Sequence, residues 1–301
     1  MHRIRSITAL LAAQIVLGAT ATHAQTQTSP LEVMTFNIRV GLAPDGPDAW
    51  PHRADQLSAL IRGVDPDVLG LQEALRFQLD EIESALSGYT EIGVGRDDGR
   101  EAGEYSAILY RNDRLTMLDH GTFWLSDTPS VPGSMTWGNR YTRICTWARF
   151  HDKANGTEFA VFNTHFDHES QPSRERSAVL VASRLPTDVP VIFTGDFNSG
   201  EDNPAILYLT GRSTAAAGAD GNATPRPLVD SYRVLHPADT AVGTLHRFRG
   251  GTSGDKIDYI LISPRWEVLS AEIVRSNRDG RYPSDHYPVT VRLQLRDRPQ
   301  R

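Results

Sequence analysis

Five apolar runs in this chain carry a carboxylate or a carboxamide at or near one end, and that recurrence constrains the fold more than any other feature. Met34-Thr35-Phe36 runs into Asn37, and Val68-Leu69-Gly70-Leu71-Gln72 runs into Glu73. Val191-Ile192-Phe193-Thr194-Gly195 leads to Asp196 and then Asn198. Asp258 lies within Lys256-Ile257-Asp258-Tyr259-Ile260-Leu261, and Asp285-His286 precedes the last apolar run. Desolvating an unpaired amide costs roughly 2–7 kcal/mol and an isolated carboxylate more, so a buried strand carries such a group only where it binds something. A single strand end of this kind is an ordinary cap or turn residue. Five along one chain imply strands that converge on a shared site. Hard oxygen donors suit Mg²⁺, or Mn²⁺ or Ca²⁺, rather than a thiolate-bound metal.

The rest of the pattern mixes both periodicities. Leu31 to Val40 and Asp67 to Gln72 read as buried strands. Arg53 to Val64, Phe77 to Leu86 and Ser173 to Leu185 have helical spacing, and Asn203 to Leu209 reads as a short helix. Tyr89 to Gly95, Tyr105 to Arg111 and Leu115 to Leu125 read as strands. Arg143 to Phe150 and Glu158 to His165 form a hairpin around the turn dipeptide Asn155-Gly156. Val189 to Thr194, Lys256 to Ile262, Trp266 to Val274 and Pro288 to Leu295 complete the strands. Gly41 to Pro51, Ser126 to Tyr141 and Thr210 to Pro227 read as loops, and substrate choice is expected to lie in them. Strands outnumber helices throughout, which predicts an α/β fold of packed sheets with helices outside.

The N-terminus reads as a leader. Arg3 and Arg5 precede an apolar stretch from Ile7 to Ala21, interrupted by Gln14 and too short to span a bilayer. With small residues before Ala24-Gln25, residues 1–24 are expected to be a signal peptide and residues 25–301 one domain. Loss of the two arginines takes the formal charge from −6 to −8, that is, −6 − 2. Cys145 is the sole cysteine, so no intramolecular disulfide forms. The expected location is secreted or periplasmic, and the expected state is a monomer without a transmembrane segment. The acidic balance disfavours a broad nucleic-acid footprint, which needs clustered Lys and Arg.

Taken in order, six segments resemble the motif set of the endonuclease/exonuclease/phosphatase superfamily. They are Met34-Thr35-Phe36-Asn37, Leu71-Gln72-Glu73, Asn163-Thr164-His165-Phe166-Asp167-His168, Gly195-Asp196-Phe197-Asn198, Lys256-Ile257-Asp258-Tyr259 and Ser284-Asp285-His286. The resemblance covers residues 31–295. It implies a DNase I-like, four-layer α/β/β/α sandwich of two packed mixed β-sheets. It also implies metal-assisted hydrolysis of a phosphoester by in-line water attack. Glu73 matches the family's main metal ligand, with Asn37 and Asp285 near the same ion. Asp196 matches the carboxylate that orients or deprotonates water, and Asn198 the amide that binds phosphate or fixes that water. His286 matches the catalytic histidine, Asp258 its carboxylate partner, and His165 a phosphate contact that Asp167 is expected to orient. Arg143 is a candidate phosphate clamp. Thr122 to Ser126 followed by Arg143 to Ala148 looks like a secreted bacterial branch.

Blander readings stand beside these. His165, Asp167 and His168 form a dense cluster able to hold a structural metal through nitrogen. His246 reads as a residue behind the site or on the substrate side, and His151 and His236 as solvated. Trp124 and Trp137 read as packing residues or a pocket wall, and Glu104 as a site contact or a surface charge. The leading function is a secreted divalent-metal-dependent phosphodiesterase or phosphomonoesterase acting on small or lipid-derived phosphoesters. The alternatives are a secreted nuclease and a non-catalytic binder of phosphate or a lipid headgroup.

Overall fold

Successive residues of a strand point to opposite faces, and in this molecule that alternation separates the core from the site. The computed structural model describes residues 29–296. The expected leader and the end of the charged tail lie outside them. The strands are β1 (Leu31–Asn37), β2 (Val68–Ala74), β3 (Tyr89–Ile92), β4 (Tyr105–Arg111), β5 (Leu115–Trp124), β6 (Ile144–Asp152), β7 (Glu158–His165), β8 (Val191–Asp196), β9 (Val229–Asp230), β10 (Asp258–Ile262), β11 (Trp266–Ile273) and β12 (Val289–Leu295). The helices are α1 (Ala54–Val64), α2 (Arg76–Ala85), α3 (Gln171–Arg184), α4 (Pro204–Leu209) and α5 (Ser231–Leu235). None is long and apolar enough to cross a membrane.

Two six-stranded mixed sheets form, in the orders β11-β12-β1-β2-β4-β3 and β5-β6-β7-β8-β10-β9. Parallel pairs, β1 with β2 and β7 with β8, sit at the centre of each sheet. Between the sheets lies one apolar core that includes Val33, Val68, Ile108, Phe150, Val161, Ile192 and Ile260. Met34, Phe36, Leu69 and Leu71 face the other way, onto Leu57 and Ile61 of α1 and Leu79 and Ile82 of α2. Phe162 and Phe193 likewise face α3 and α4. The four-layer α/β/β/α sandwich expected from the sequence is the architecture observed.

The inward-facing positions change character along each central strand. In β1 they run Val33, Thr35, Asn37, and in β2 Val68, Gly70, Gln72. In β7 they run Val161, Asn163, His165, and in β8 Ile192, Thr194, Asp196. Antiparallel to β8, β10 begins at the same end with Asp258 and continues to Ile260. One end of the inter-sheet space is therefore apolar and the other polar.

The transition is made by Asn163. Its Nδ2 crosses to the other sheet and donates to Leu71 O at 2.9 Å and Ala107 O at 2.8 Å. Its Oδ1 accepts from Gln72 Nε2 at 2.7 Å and Thr194 Oγ1 at 3.0 Å. Gly70 permits this approach, because a Cβ there would lie 2.4 Å from Thr194 Oγ1 and 2.7 Å from Asn163 Oδ1.

Several boundaries differ from expectation. β1 ends at Asn37 rather than Val40, because Arg39 turns the chain with φ +59°. The Gly41–Pro51 loop contains a 3-10 turn, Gly46–Asp48, and a second turn, Trp50–His52, begins within it. β9 and α5 were not expected. They are too short to show a period, and α5 is started by Asp230, whose Oδ1 accepts from Tyr232 N and Arg233 N. His236 is not solvated: it stacks on Tyr232 at 4.4 Å and bonds Ala271 O.

Replacing Asn163 by Ala removes the acceptor shared by Gln72 Nε2 and Thr194 Oγ1 and the donor shared by Leu71 O and Ala107 O. The expected cost is roughly 3 kcal/mol of unfolding free energy, measurable by urea denaturation. A loss below ~1 kcal/mol would mean that this network does not fasten the sheets.

Candidate active site

The ladders of the second sheet set three expected site residues in one row. Asp258 of β10 is directly opposite Asp196 of β8, and His165 of β7 is beside Asp196 on the other side. Like charges directly opposite are unfavourable. His286, arriving from the segment before β12, lies between them: its Nδ1 is 2.9 Å from Asp258 Oδ2 and its Nε2 is 3.8 Å from Asp196 Oδ2. Burial works against a charge on His286, but Asp258, Asp196 and Asp285 together outweigh it, so the imidazole is held well above its ordinary pKa. Burial and then the Asp258 charge push the Asp196 carboxyl up to about 7.

The first sheet supplies the facing wall. Glu73 occupies a bulge at the end of β2 with φ +62°, a conformation that turns its carboxylate out of the ladder. Asn37 Nδ2 donates to Glu73 Oε1 at 3.0 Å and to Asp196 Oδ2 at 2.9 Å, so it bridges the two sheets. Asn37 Oδ1 accepts from Arg39 N, which leaves the amide oxygen facing its own turn. Burial opposes the charge on Glu73, yet Asn37, His286 and the Val40 N–H hold its carboxyl below the usual range. Asp285 is pushed up by burial, with Glu73 adding repulsion. Ser284 Oγ donates to Asn37 O at 2.6 Å, and the buried Arg53 donates to Ile38 O, Arg39 O and Pro283 O. Those bonds tie the turn after β1 to the segment that carries Asp285 and His286.

His165 has the opposite character to His286. Asn198 Nδ2 gives one hydrogen to Phe166 O at 3.0 Å and its other to His165 Nε2 at 2.9 Å. Nε2 is thereby an acceptor, and the proton of the neutral ring resides on Nδ1. Burial, then Arg143 and Arg96, hold His165 well below its ordinary pKa. The buried Nδ1 has no hydrogen-bond partner, and Glu104 Oε2 lies 3.9 Å away.

These groups line a cleft of about 740 Å³. Of the expected residues, Glu73, Arg143, His165, Asp196, Asn198, Asp285 and His286 line it, while Asn37 and Asp258 lie behind the surface. Arg143 is 2% exposed; its Nη2 meets His168 Nδ1 at 2.9 Å, and its Nε and Nη1 have no hydrogen-bond partner, although Nε lies 3.7 Å from Asp167 Oδ2. Asp167 does not orient His165. Its Oδ1 accepts from Glu169 N and Ser170 N, which shapes the turn into α3. His246 is stacked between Tyr282 and Tyr287 outside the cleft lining. Trp124 and Trp137 also stay out of the lining, with Nε1 bonds to Arg96 O and Asp127 Oδ1. Loop Thr210–Pro227 contributes nothing to the lining, whereas Leu245, Arg247 and Phe248 do. Asp45 and Tyr141 line the cleft from two of the loops expected to set substrate choice, Arg39 and Arg96 line it without having been expected there, and Glu104 proves to be a site contact, its Oε2 2.6 Å from Arg96 Nη1.

Two sets of ligand atoms lie within 4.8 Å of one another among the described residues: Glu73, His165 and Asp196, and Asp196, Asp258 and His286. Asp196 belongs to both; Asp285 belongs to neither. The His165–Asp167–His168 alternative forms no such set. Crowded carboxylates that include the ionised Glu73 and an under-bonded Asp285 fit a divalent cation, as do their hard donors.

The Endonuclease/Exonuclease/phosphatase family matches residues 34–286. The chain belongs to that family. Its members are phosphoester hydrolases that depend on divalent metals. A solved family member from Bacteroides vulgatus is 34% identical, with a TM-score of 0.79 over 89% of this chain and 100% of that one. A mannosyl-6-phosphatase from Bacteroides thetaiotaomicron is 33% identical, with a TM-score of 0.77 over 88% of this chain and 100% of that one. Protein angel of Drosophila melanogaster is 27% identical over 71% of this chain. The chain spans 60% and 59% of the lengths of the first curated relatives it matches.

The two histidines should titrate apart. Imidazole ¹⁵N shifts are expected to show His286 still cationic well above pH 6.5 and His165 neutral, with its proton on Nδ1, well below it. Two rings titrating together near 6.5 would contradict the arrangement.

Proposed function

We propose that this chain is a secreted, Mg²⁺-dependent hydrolase of small phosphoesters, with phosphorylated sugars as the leading substrate class. The observation that carries the reading is the pairing of a cationic His286 with an Asp196 of raised pKa beside the Glu73 carboxylate. A general base works best with a pKa near the working pH. Asp196 takes the proton of the attacking water, and the Asn198 N–H holds its Oδ1 at 2.9 Å. The Asp258-bound His286 stays cationic and offers its Nε2 proton to a phosphoryl or leaving oxygen. Arg143, with unpartnered N–H groups, clamps the phosphate beside His165. Glu73 and Asp285 would hold the Mg²⁺, with Asn37 steering Glu73. The chemistry a bound ion supplies is neutralisation of phosphoryl and leaving oxygens.

The similarity to a mannosyl-6-phosphatase supports the substrate class. The leader-like residues 1–24 support export. A nuclease reading is weaker, since the formal charge is −6 and three cleft arginines have acidic partners.

EDTA should abolish hydrolysis of p-nitrophenyl phosphate and mannose 6-phosphate, and Mg²⁺ should restore it. Asp196→Asn and His286→Gln should each lower kcat by about 10²–10⁴-fold. Rate should fall as pH drops through about 7, where Asp196 takes up its proton, and fall again at alkaline pH as His286 loses its own. Asp258→Asn removes the partner that holds His286 up, so the alkaline limb should move to lower pH. Hydrolysis that survives both substitutions, or plasmid cleavage faster than turnover of either small substrate, would overturn the reading.

A further inference from the structure

Four arginines line the cleft, and three of them are engaged. Arg39 pairs with Asp45 at 2.9 Å, Arg96 with Glu104 at 2.6 Å, and Arg143 lies against His168 and Asp167. Arg247 is the fourth. It is exposed, and its side chain makes no hydrogen bond or ion pair among the described residues. Its neighbour Phe248 also lines the cleft and is half-buried.

The backbone beneath this pair is unusual. Arg247 and Phe248 have φ of +52° and +60° and are adjacent non-glycine residues both held in the left-handed region. Such conformations cost of order 1–3 kcal/mol each and persist only where the surroundings enforce them. Here the enforcement comes from the site itself. His246 N and Arg247 N both donate to Asp285 O, at 2.8 and 3.0 Å, and Leu245 bridges His286. Phe248 lies 5.7 Å from the Arg53 guanidinium, the group that binds Ile38 O and Pro283 O. The strained dipeptide is thus fastened to the segment that carries Asp285.

We infer that Arg247 and Phe248 form the subsite for the alcohol portion of the substrate, and that it takes a cyclic polyol such as a sugar ring. The inference rests on the hydrolase reading above. Arg247 and Phe248 line the same cleft as Arg143, Asp196 and His286, and the Arg247 N–H is bonded to Asp285 O, so they lie where the group attached to a bound phosphate would reach. Phe248 offers a flat apolar face for the C–H side of a ring. Arg247 offers a donor fork to its hydroxyls, and Asp45, also in the cleft lining, offers acceptor oxygens. Hydroxyls satisfied this way discriminate sharply, because an analogue without them leaves polar groups unpaired. The ring belongs either to a free sugar phosphate or to the ribose of a nucleotide.

The test uses the full-length enzyme with Arg247→Gly and Phe248→Gly. Glycine adopts left-handed φ without strain, which offsets part of the packing lost at Phe248, and thermal midpoints measured beside the kinetics identify any variant that no longer folds. The readout is the ratio of kcat/KM for mannose 6-phosphate to that for the ringless glycerol 3-phosphate, with AMP as a further arm. Each variant should lower the mannose 6-phosphate ratio by ~10-fold or more, mainly through KM. An equal or larger fall on AMP assigns the ring to a ribose; no fall on glycerol 3-phosphate is expected, since it has no ring. Ratios within two-fold of wild type in a working enzyme would overturn the subsite alone. A wild type that turns over no phosphoester would overturn the hydrolase reading and the subsite with it.

Discussion

Asn163 sits where the space between the sheets stops being a core. Below it, Val33, Val161 and Ile192 pack without polar atoms in their side chains. Above it, at the next inward-facing positions, stand His165 and Asp196. A carboxamide buried at that boundary has to satisfy two donors and two acceptor lone pairs at once. It does so with two carbonyls from the opposite sheet, Gln72 and Thr194. Four bonds to both sheets leave little freedom in how the sheets sit on each other. The distances between Glu73 on one sheet and His165 and Asp196 on the other follow from that registration.

Charge is the second consequence. The strand registers bring Asp196 and Asp258 together, and the bulge after Gln72 adds Glu73. Burying carboxylates in mutual repulsion is expensive. The molecule offsets part of that cost with the His286 cation and the Asn37 bridge, and leaves part uncompensated in Asp196 and Asp285, both raised above ordinary carboxyls. A site with this residual negative charge is suited to take up a divalent cation. Both histidines are buried, and they diverge because carboxylates outweigh that burial at His286, whereas at His165 Arg143 and Arg96 add to it.

The strand framework and most of the cleft centre were legible in the sequence, since each expected site residue lies at or next to the end of an apolar run. The period of two that carries Val161 to Asn163 to His165 is a local property. What was not legible depends on loops that meet through space. Arg96 reaches the cleft because Trp124 Nε1 holds its carbonyl at 2.6 Å and Thr142 holds Asp97. Nothing near Arg96 in the chain announces either contact. Asp167 was misread because adjacency to a histidine suggests pairing, whereas a residue shortly before a helix is also placed to bond the N–H groups of the turn leading into it. Loop Thr210–Pro227 looked like a specificity loop from its composition, but Ala217 N is tied to Glu175 and Ala216 and Ala219 are buried, so it packs away from the cleft.

Backbone strain separates site from scaffold more sharply than composition does. Eight non-glycine residues among those described have left-handed φ, and five of them, Arg39, Glu73, Asn198, Arg247 and Phe248, line the cleft. Three of these lie in or just after strand ends, where the ladder would otherwise carry the side chain along the sheet. Turning Glu73 and Asn198 out of the strand direction places their side chains in the cleft lining, Glu73 against Asn37 and Asn198 against His165. Such turns hold only against a rigid support, and the support is visible: the Asn163 junction under Glu73, and Arg53 with its carbonyl bonds under Arg39 and the Asp285 segment. Local preference and global fold disagree at these positions, and in a chain otherwise consistent across levels, such disagreement is expected at functional sites.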